Sequence, residues 1–274
     1  MNTTRSTRSG LALRSKSGED RSVVGKDPNI MKKFLLSLAV SAAIATGAQA
    51  ATINVGTEAT FAPFEFMDEQ TKELTGFDME IIEAVAKEMG DTVRVHNMGF
   101  DALIPSLQTG IIDVTVAAMT ITPERQKRVD FTDPYYQSGL VIMIRKDDTG
   151  KYKDFTSLEG TRLCAQIGTT GAMMAKRVKN AKVTEFNSIT EAFMELKAKG
   201  CEAVINDKPV VDYYLVRRGD KAVTTVPQVF DAEHYGMAVK QGNKALVEKL
   251  NEGLKRIRAN GVYDKIYAKW FGAH

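Results

Sequence analysis

The chain has 274 residues, 43% hydrophobic and 26% charged, a balance that buries one large or two ordinary cores and excludes disordered, collagen-like and coiled-coil chains. Its formal charge of +3 is concentrated at one end: residues 1–50 hold eight of the 37 basic residues but three of the 34 acidic ones, leaving 29 against 31. A body of net −2 gives no electrostatic argument for binding nucleic acid or a membrane surface.

From Met31 the chain reads MKKFLLSLAVSAAIATGAQA, two lysines, an apolar run and small residues ending Ala48-Gln49-Ala50. This pattern predicts a secretory signal peptide over 31–50 and a mature start at Ala51. The run from Phe34 to Ile44 is about half the length a membrane-spanning helix needs. Residues 1–30 are polar and aperiodic and precede a complete signal with its own Met, so they read as an upstream extension, disordered or untranslated. Export predicts a periplasmic protein in an oxidising compartment, where Cys164 and Cys201 either pair or stay as buried thiols; spacing leaves both open, because a disulfide needs alpha carbons within about 7 Å.

In the mature chain short apolar runs alternate with amphipathic stretches. Ile53 to Gly56 predicts a strand, and Phe77 to Met89 a helix with Ile81, Ile82, Val85 and Met89 on one face, stopped by Gly90. Asp101 is expected to cap a second helix carrying Leu103, Ile104 and Leu107, followed by a buried strand over Ile111 to Ala118. Strand, helix, strand predicts a parallel sheet. The pattern resumes with β runs at Leu140 to Ile144 and Thr161 to Ile167, a helix from about Gly171, a strand near Val183, a helix opened by the capping box Ser188-x-x-Glu191, and a strand over Ala203 to Asn206. A crossing follows at Asp231 to Gly236, then a strand over Tyr235 to Val239 and a helix with Leu246, Leu250, Leu254 and Ile257 on one stripe. Tyr263, Ile266, Tyr267 and Trp270 recur at helical spacing and are expected to pack in the core. The fold class is α/β, in two lobes of roughly 90 residues.

The isolated histidines and the two cysteines give no metal spacing, and neither a nucleophile elbow nor a P-loop is present, so no metal or cofactor is expected. In open parallel sheets ligands sit beyond the carboxyl ends of strands, and four such loops carry chemistry. The first is Gly56 to Phe64, with Glu58 and Phe61. The second is Met119 to Arg125, where Thr122 is a natural N-cap, Pro123 takes N1, and Arg125 falls in the first turn. A cation there opposes the helix dipole, which makes sense if it holds an anion; the alternative is a solvated arginine paired with Glu124. The third is Gln166-Ile167-Gly168-Thr169-Thr170, whose backbone N–H groups can cradle a carboxylate. The fourth is Asn206-Asp207-Lys208-Pro209, in which Asp207 is either a cation ligand or an N-cap. Together the loops offer an anion clamp and a cation clamp, and a free amino acid carries one of each.

The segments Thr57 to Phe66, Gly76-Phe77-Asp78, Phe100 to Leu107, Thr120 to Arg125, Asp130 to Tyr136, Gly168-Thr169-Thr170, Asp207-Lys208-Pro209 and Gly261 to Phe271 resemble, in order, the polar amino-acid-binding proteins of bacterial ABC importers. The resemblance implies a type II periplasmic binding fold: 51–134 plus 236–274 as one lobe, 140–230 as the other, and 135–139 and 231–235 as a two-strand hinge. It implies that Arg125, with the N–H groups of Thr120 and Thr170 beside Thr169, takes the ligand α-carboxylate. Asp207 and the Ala118 carbonyl would take the α-ammonium, Phe61 and Phe100 would sandwich the stem, and Glu58 with Gln166 would face the side chain. The implied partners are a free amino acid and an inner-membrane ABC permease; the chain is expected to act as a monomer, with no nucleic acid. In glutamine-binding members Glu58's position is typically Asp and Gln166's is Lys, so an uncompensated carboxylate here favours arginine or lysine, with glutamine open. The competing function is a periplasmic dehydratase on the same scaffold, which needs a second-lobe acid where this chain has Ala172, Met173 and Met174.

Overall fold

In the computed structural model the described residues are 50–272. The expected upstream extension at 1–30, residues 31–49 of the expected signal peptide, and residues 273 and 274 lie outside them.

The first part of the chain gives β1 (Thr52–Thr57), β2 (Thr60–Phe61), β3 (Glu65–Met67), β4 (Leu74–Thr75), α1 (Phe77–Glu88), β5 (Thr92–Asn97), α2 (Phe100–Thr109), β6 (Val114–Thr115), α3 (Pro123–Gln126) and β7 (Val129–Phe131). Then come β8 (Tyr136–Arg145), β9 (Arg162–Gln166), α4 (Thr170–Arg177), β10 (Lys182–Phe186), α5 (Ile189–Lys197), β11 (Ala203–Asp207), α6 (Lys208–Arg218), β12 (Val223–Thr225) and β13 (Phe230–Tyr235). The chain ends with β14 (Ala238–Lys240), α7 (Lys244–Ala259) and α8 (Val262–Phe271).

Two mixed sheets organise these elements. One runs β5-β1-β6-β14-β7, with β1 parallel to β5 and β6; the other runs β10-β9-β11-β8-β12, with β9 parallel to β10 and β11. Two strands cross between them: β8 pairs antiparallel with β13 from Tyr136 opposite Tyr235 to Leu140 opposite Phe230, with an irregularity between Phe230 and Ala232. After the second crossing β14 returns to the first sheet, and α7 and α8 pack on α1, so the last helices complete the lobe in which the chain began.

Each helix is set by local chemistry. Phe77, Ile81, Ile82 and Val85 of α1 are fully buried, each contributing about 1.5–3 kcal/mol relative to exposure. Gly76 starts this helix at φ 137, where a Cβ would lie 2.0 Å from the Phe64 carbonyl oxygen, so no other residue fits. The capping box of Ser188 and Glu191 forms at the start of α5. Gly171 lets α4 approach β11 closely, since a Cβ there would stand 2.4 Å from the Ile205 carbonyl oxygen. Gly171→Ala should therefore cost about 1–3 kcal/mol by overpacking, read as a melting temperature several degrees lower by calorimetry.

Four sequence expectations need correction. Asp101 does not cap α2: Gly99 holds the N-cap position and Asp101 lies inside the first turn. The strand expected over Ile111 to Ala118 is only Val114–Thr115, because the chain turns at Ala118 with φ 45 and Ile111 is exposed. The strand expected over Tyr235 to Val239 is broken between β13 and β14, where Gly236 donates to the Met119 carbonyl. Of the C-terminal aromatics, Tyr263, Tyr267 and Trp270 are half-buried rather than core, and only Ile266 beside them is buried. Tyr263 and Tyr267 lie edge-on to Phe77, and Tyr267 stacks on Tyr136 of the first crossing strand.

Cys164 in β9 and Cys201 before β11 form a disulfide with alpha carbons 6.0 Å apart, which settles the pairing the spacing left open. Among the described residues no helix is long and apolar enough to cross a membrane.

Candidate functional site

Four strand-end loops meet between the sheets. Thr122 caps α3, its hydroxyl accepting the Arg125 N–H at 3.2 Å, with Pro123 at the first helical position. That local structure turns the Arg125 side chain inward, where it is 5% exposed. Its Nη1 donates to the Thr120 carbonyl at 2.6 Å and its Nη2 to the Gly168 carbonyl of the other lobe at 3.1 Å. The guanidinium lies 5.3 Å from the Phe100 ring centroid. Burial pulls its pKa to about 10, against the pull of Glu233 and Asp207, so it is charged at neutral pH.

Asp207 ends β11 and stands at the N-cap position of α6, but its carboxylate makes no capping bond. The structural alternative for this residue is therefore not what the side chain does. It is 6% exposed, and no donor among the described residues reaches its Oδ1. Burial first, and then the Glu233 carboxylate, hold it well above the usual carboxylate range.

Glu58, also 6% exposed, accepts from the Thr60 hydroxyl at 2.8 and 2.9 Å and from Gln166 Nε2 of the opposite lobe at 2.9 Å. Burial raises its pKa against these hydrogen bonds, and no cation among the described residues forms a salt bridge with it. Thr169 caps α4: its hydroxyl accepts from the Ala172 N–H at 3.2 Å and donates to the Gln166 carbonyl at 2.7 Å, which shapes the turn and leaves Thr170 as the first helical residue. The first turn of α4 holds no acid.

Of the ten expected residues, Phe61, Phe100, Ala118, Thr120, Arg125, Gln166, Thr169, Thr170 and Asp207 line one nearly closed cavity of about 10 Å³, joined by Ala117. Glu58 stands at its wall through Gln166. That space admits about one water molecule, so the four loops stand nearly shut over it.

Buried acids at two places were not foreseen. Asp78 of α1 is fully buried, and its Oδ2 accepts the Ala118 N–H at 2.7 Å and the Tyr135 hydroxyl at 2.6 Å. It thereby ties the left-handed Ala118 backbone, at φ 45, to the start of the first crossing strand. Burial pushes Asp78 up to about 6, and Glu65, buried against it, is raised further. The second is Glu233 of β13, 5% exposed, whose Oε2 accepts the Thr120 hydroxyl at 3.2 Å. Along β13 burial alternates: Glu233 and Tyr235 are buried while Ala232 and His234 are exposed.

One guanidinium and several carboxyls thus converge from two lobes on one small space, an arrangement that can hold both ends of a zwitterion. Among the described residues no group of three His, Cys, Asp or Glu could hold a metal ion.

The family model for bacterial extracellular solute-binding proteins, family 3, matches residues 53–273. ABC transporter arginine-binding protein 1 of Escherichia coli (strain K12) is 38% identical over 247 residues, covering 88% of this chain and 99% of that protein. An ancestral arginine-binding protein solved with arginine superposes with a TM-score of 0.78 at 43% identity, covering 81% of this chain and 98% of that one. An ancestral arginine-binding protein solved with glutamine gives a TM-score of 0.75 at 43% identity, covering 81% of this chain and 98% of that one.

Proposed function

From the premise that this chain belongs to the bacterial extracellular solute-binding proteins, family 3, we propose that it is the periplasmic binding component of an amino-acid ABC importer, taking a free basic L-amino acid, arginine or lysine, ahead of glutamine. Arg125 is the carboxylate clamp, with the N–H groups of Thr120 and Thr170; Asp207 and the Ala118 carbonyl take the α-ammonium; Phe61 and Phe100 hold the stem; Glu58 and Gln166 read the side chain. The signal peptide over 31–50 exports the chain, and the loaded monomer docks on the inner-membrane permease.

The observation that carries this reading is the pairing of Arg125 on one lobe with Asp207 on the other, both buried and both lining one cavity. A zwitterion satisfies the two together only when the lobes meet, which gives it a preference for the closed form. Moving a closed fraction from 1% to 99% takes about 5.5 kcal/mol of preference, and micromolar binding supplies roughly 8 kcal/mol. Cleft closure is then the signal the permease reads.

The basic side chain is favoured by charge. Glu58 already accepts from one amide and one hydroxyl without a cationic partner, so an incoming ammonium or guanidinium adds a charge-assisted bond that a glutamine amide does not. A thermal-shift screen of the twenty amino acids on refolded, ligand-free protein tests this, since a ligand that binds only the native state raises the melting temperature. Arginine and lysine should shift it most. A larger shift with glutamine would reject the role given to Glu58, and no shift with any amino acid would reject the function.

A further inference from the structure

A groove of about 980 Å³ runs along the crossing strands, and none of its lining residues belongs to the small cavity of Arg125 and Asp207. Its walls come from different lobes. Tyr263, Tyr267, Trp270 and Phe271 of α8 form one, Tyr213 and Val216 of α6 the other, and residues of β8 and β13 complete the lining. Phe66 of β3 touches both walls, its ring centroid 5.9 Å from Tyr213 and 5.8 Å from Trp270, and so fixes their spacing where the lobes meet.

The lining is aromatic: Tyr267 stacks on Tyr136 with centroids 6.0 Å apart, and Phe271 approaches the same ring to 4.9 Å. Among the described residues, two of the six exposed large apolar side chains, Val216 and Val229, border this one groove. Such side chains scattered singly need no occupant, but gathered in a space within the roughly 300–1,000 Å³ of small-molecule sites they mark one. Its charge is one-sided. Lys208 and Asp212 neutralise each other one turn apart on α6. Arg258 of α7 has no acid: its Nη2 donates to the Pro134 carbonyl at 2.8 Å, its guanidinium lies 5.1 Å from the Tyr263 ring centroid, and no carboxylate among the described residues forms an ion pair with it. His234, the remaining ionisable group besides the tyrosines, adds no negative charge.

We propose that this groove is a second ligand site, one that takes a small aromatic carboxylate: the ring packs on the α8 aromatics and Tyr213, and the carboxylate pairs with Arg258. Because the walls belong to different lobes, the ligand makes both sets of contacts only at the spacing found when the lobes meet. Resting on the amino-acid-binding reading, the two sites then favour the same arrangement and strengthen each other by the same factor.

Trp270 is the only tryptophan in the chain, so a ¹⁵N-labelled sample has a single indole N–H signal, and it sits on the groove wall. Titration with 2-naphthoate should shift that signal saturably, and the neutral 2-naphthalenemethanol should bind about fivefold more weakly. Arg258→Gln should bring naphthoate down to the level of the alcohol. No saturable shift, or equal affinity of the wild type for the two compounds, overturns the proposal, and the second comparison decides even if Arg258→Gln does not fold. A signal that moves with protein concentration rather than with naphthoate would mean that a second copy of the chain covers the groove, and overturns it too. Saturating arginine should lower the naphthoate Kd at least about fivefold; an unchanged Kd overturns the coupling. If arginine, lysine and glutamine move no amide signal while naphthoate still binds, the amino-acid reading fails and the groove stands as a site.

Discussion

Replacing Arg125 with alanine is expected to weaken binding of every amino acid the protein takes by about two to four orders of magnitude in Kd. The α-carboxylate is common to all of them, so the loss must be uniform rather than selective. Removing one partner of a buried charge pair costs roughly 3–5 kcal/mol, much of it from the charge left behind, and about 1.4 kcal/mol is a factor of ten. The arginine is well prepared for this role: the Thr120 and Gly168 carbonyls fix its guanidinium from two lobes, and Phe100 covers one side. Arg125→Lys should recover only part of the loss, since a point charge does not reproduce the two-pronged bond. Isothermal titration with arginine and glutamine checks the claim. A variant that loses arginine and keeps glutamine at wild-type strength would place Arg125 on the side chain instead.

The second large effect concerns the cross-link. Cys164 and Cys201 close a loop of 37 residues, and constraining such a loop in the unfolded chain is worth about 4 kcal/mol in the chain-entropy model. At about 2–4 °C per kcal/mol for a body of this size, Cys164→Ala with Cys201→Ala should melt roughly 10 °C lower. Both sulfurs are buried in the second lobe's core, away from the cavity, so the affinity for arginine should change little. An unchanged melting temperature would mean that the native thiols do not pair.

What the sequence showed in advance was chemistry that acts over a few residues. Thr122-Pro123 and Ser188-x-x-Glu191 are caps whose partners lie three residues away, and each forms as expected. The convergence of Arg125, Asp207 and Gln166 required knowing which strand ends face each other, and here the resemblance supplied what periodicity lacked. Glu233 escaped because it sits between the exposed Ala232 and His234, in a segment that reads as a solvated crossing. Asp78 escaped for a related reason: at the second position of α1 an acid is favoured by the helix dipole whether or not it does anything else. Its bonds to Ala118 and Tyr135 span 40 and 57 residues, beyond the reach of any local pattern. The strand expected over Ile111 to Ala118 failed because an apolar run does not reveal where the backbone must turn left-handed.

The hydrogen bond between Glu58 and Gln166 lies on different loops from the Arg125 and Asp207 pair. Gln166 shares its turn with Gly168, which accepts from Arg125, so only Glu58 stands on a loop apart from the carboxylate clamp. On the proposed assignment, exchanges at 58 and 166 should change which side chain is preferred while Arg125 and Asp207 keep their hold on the two charged ends.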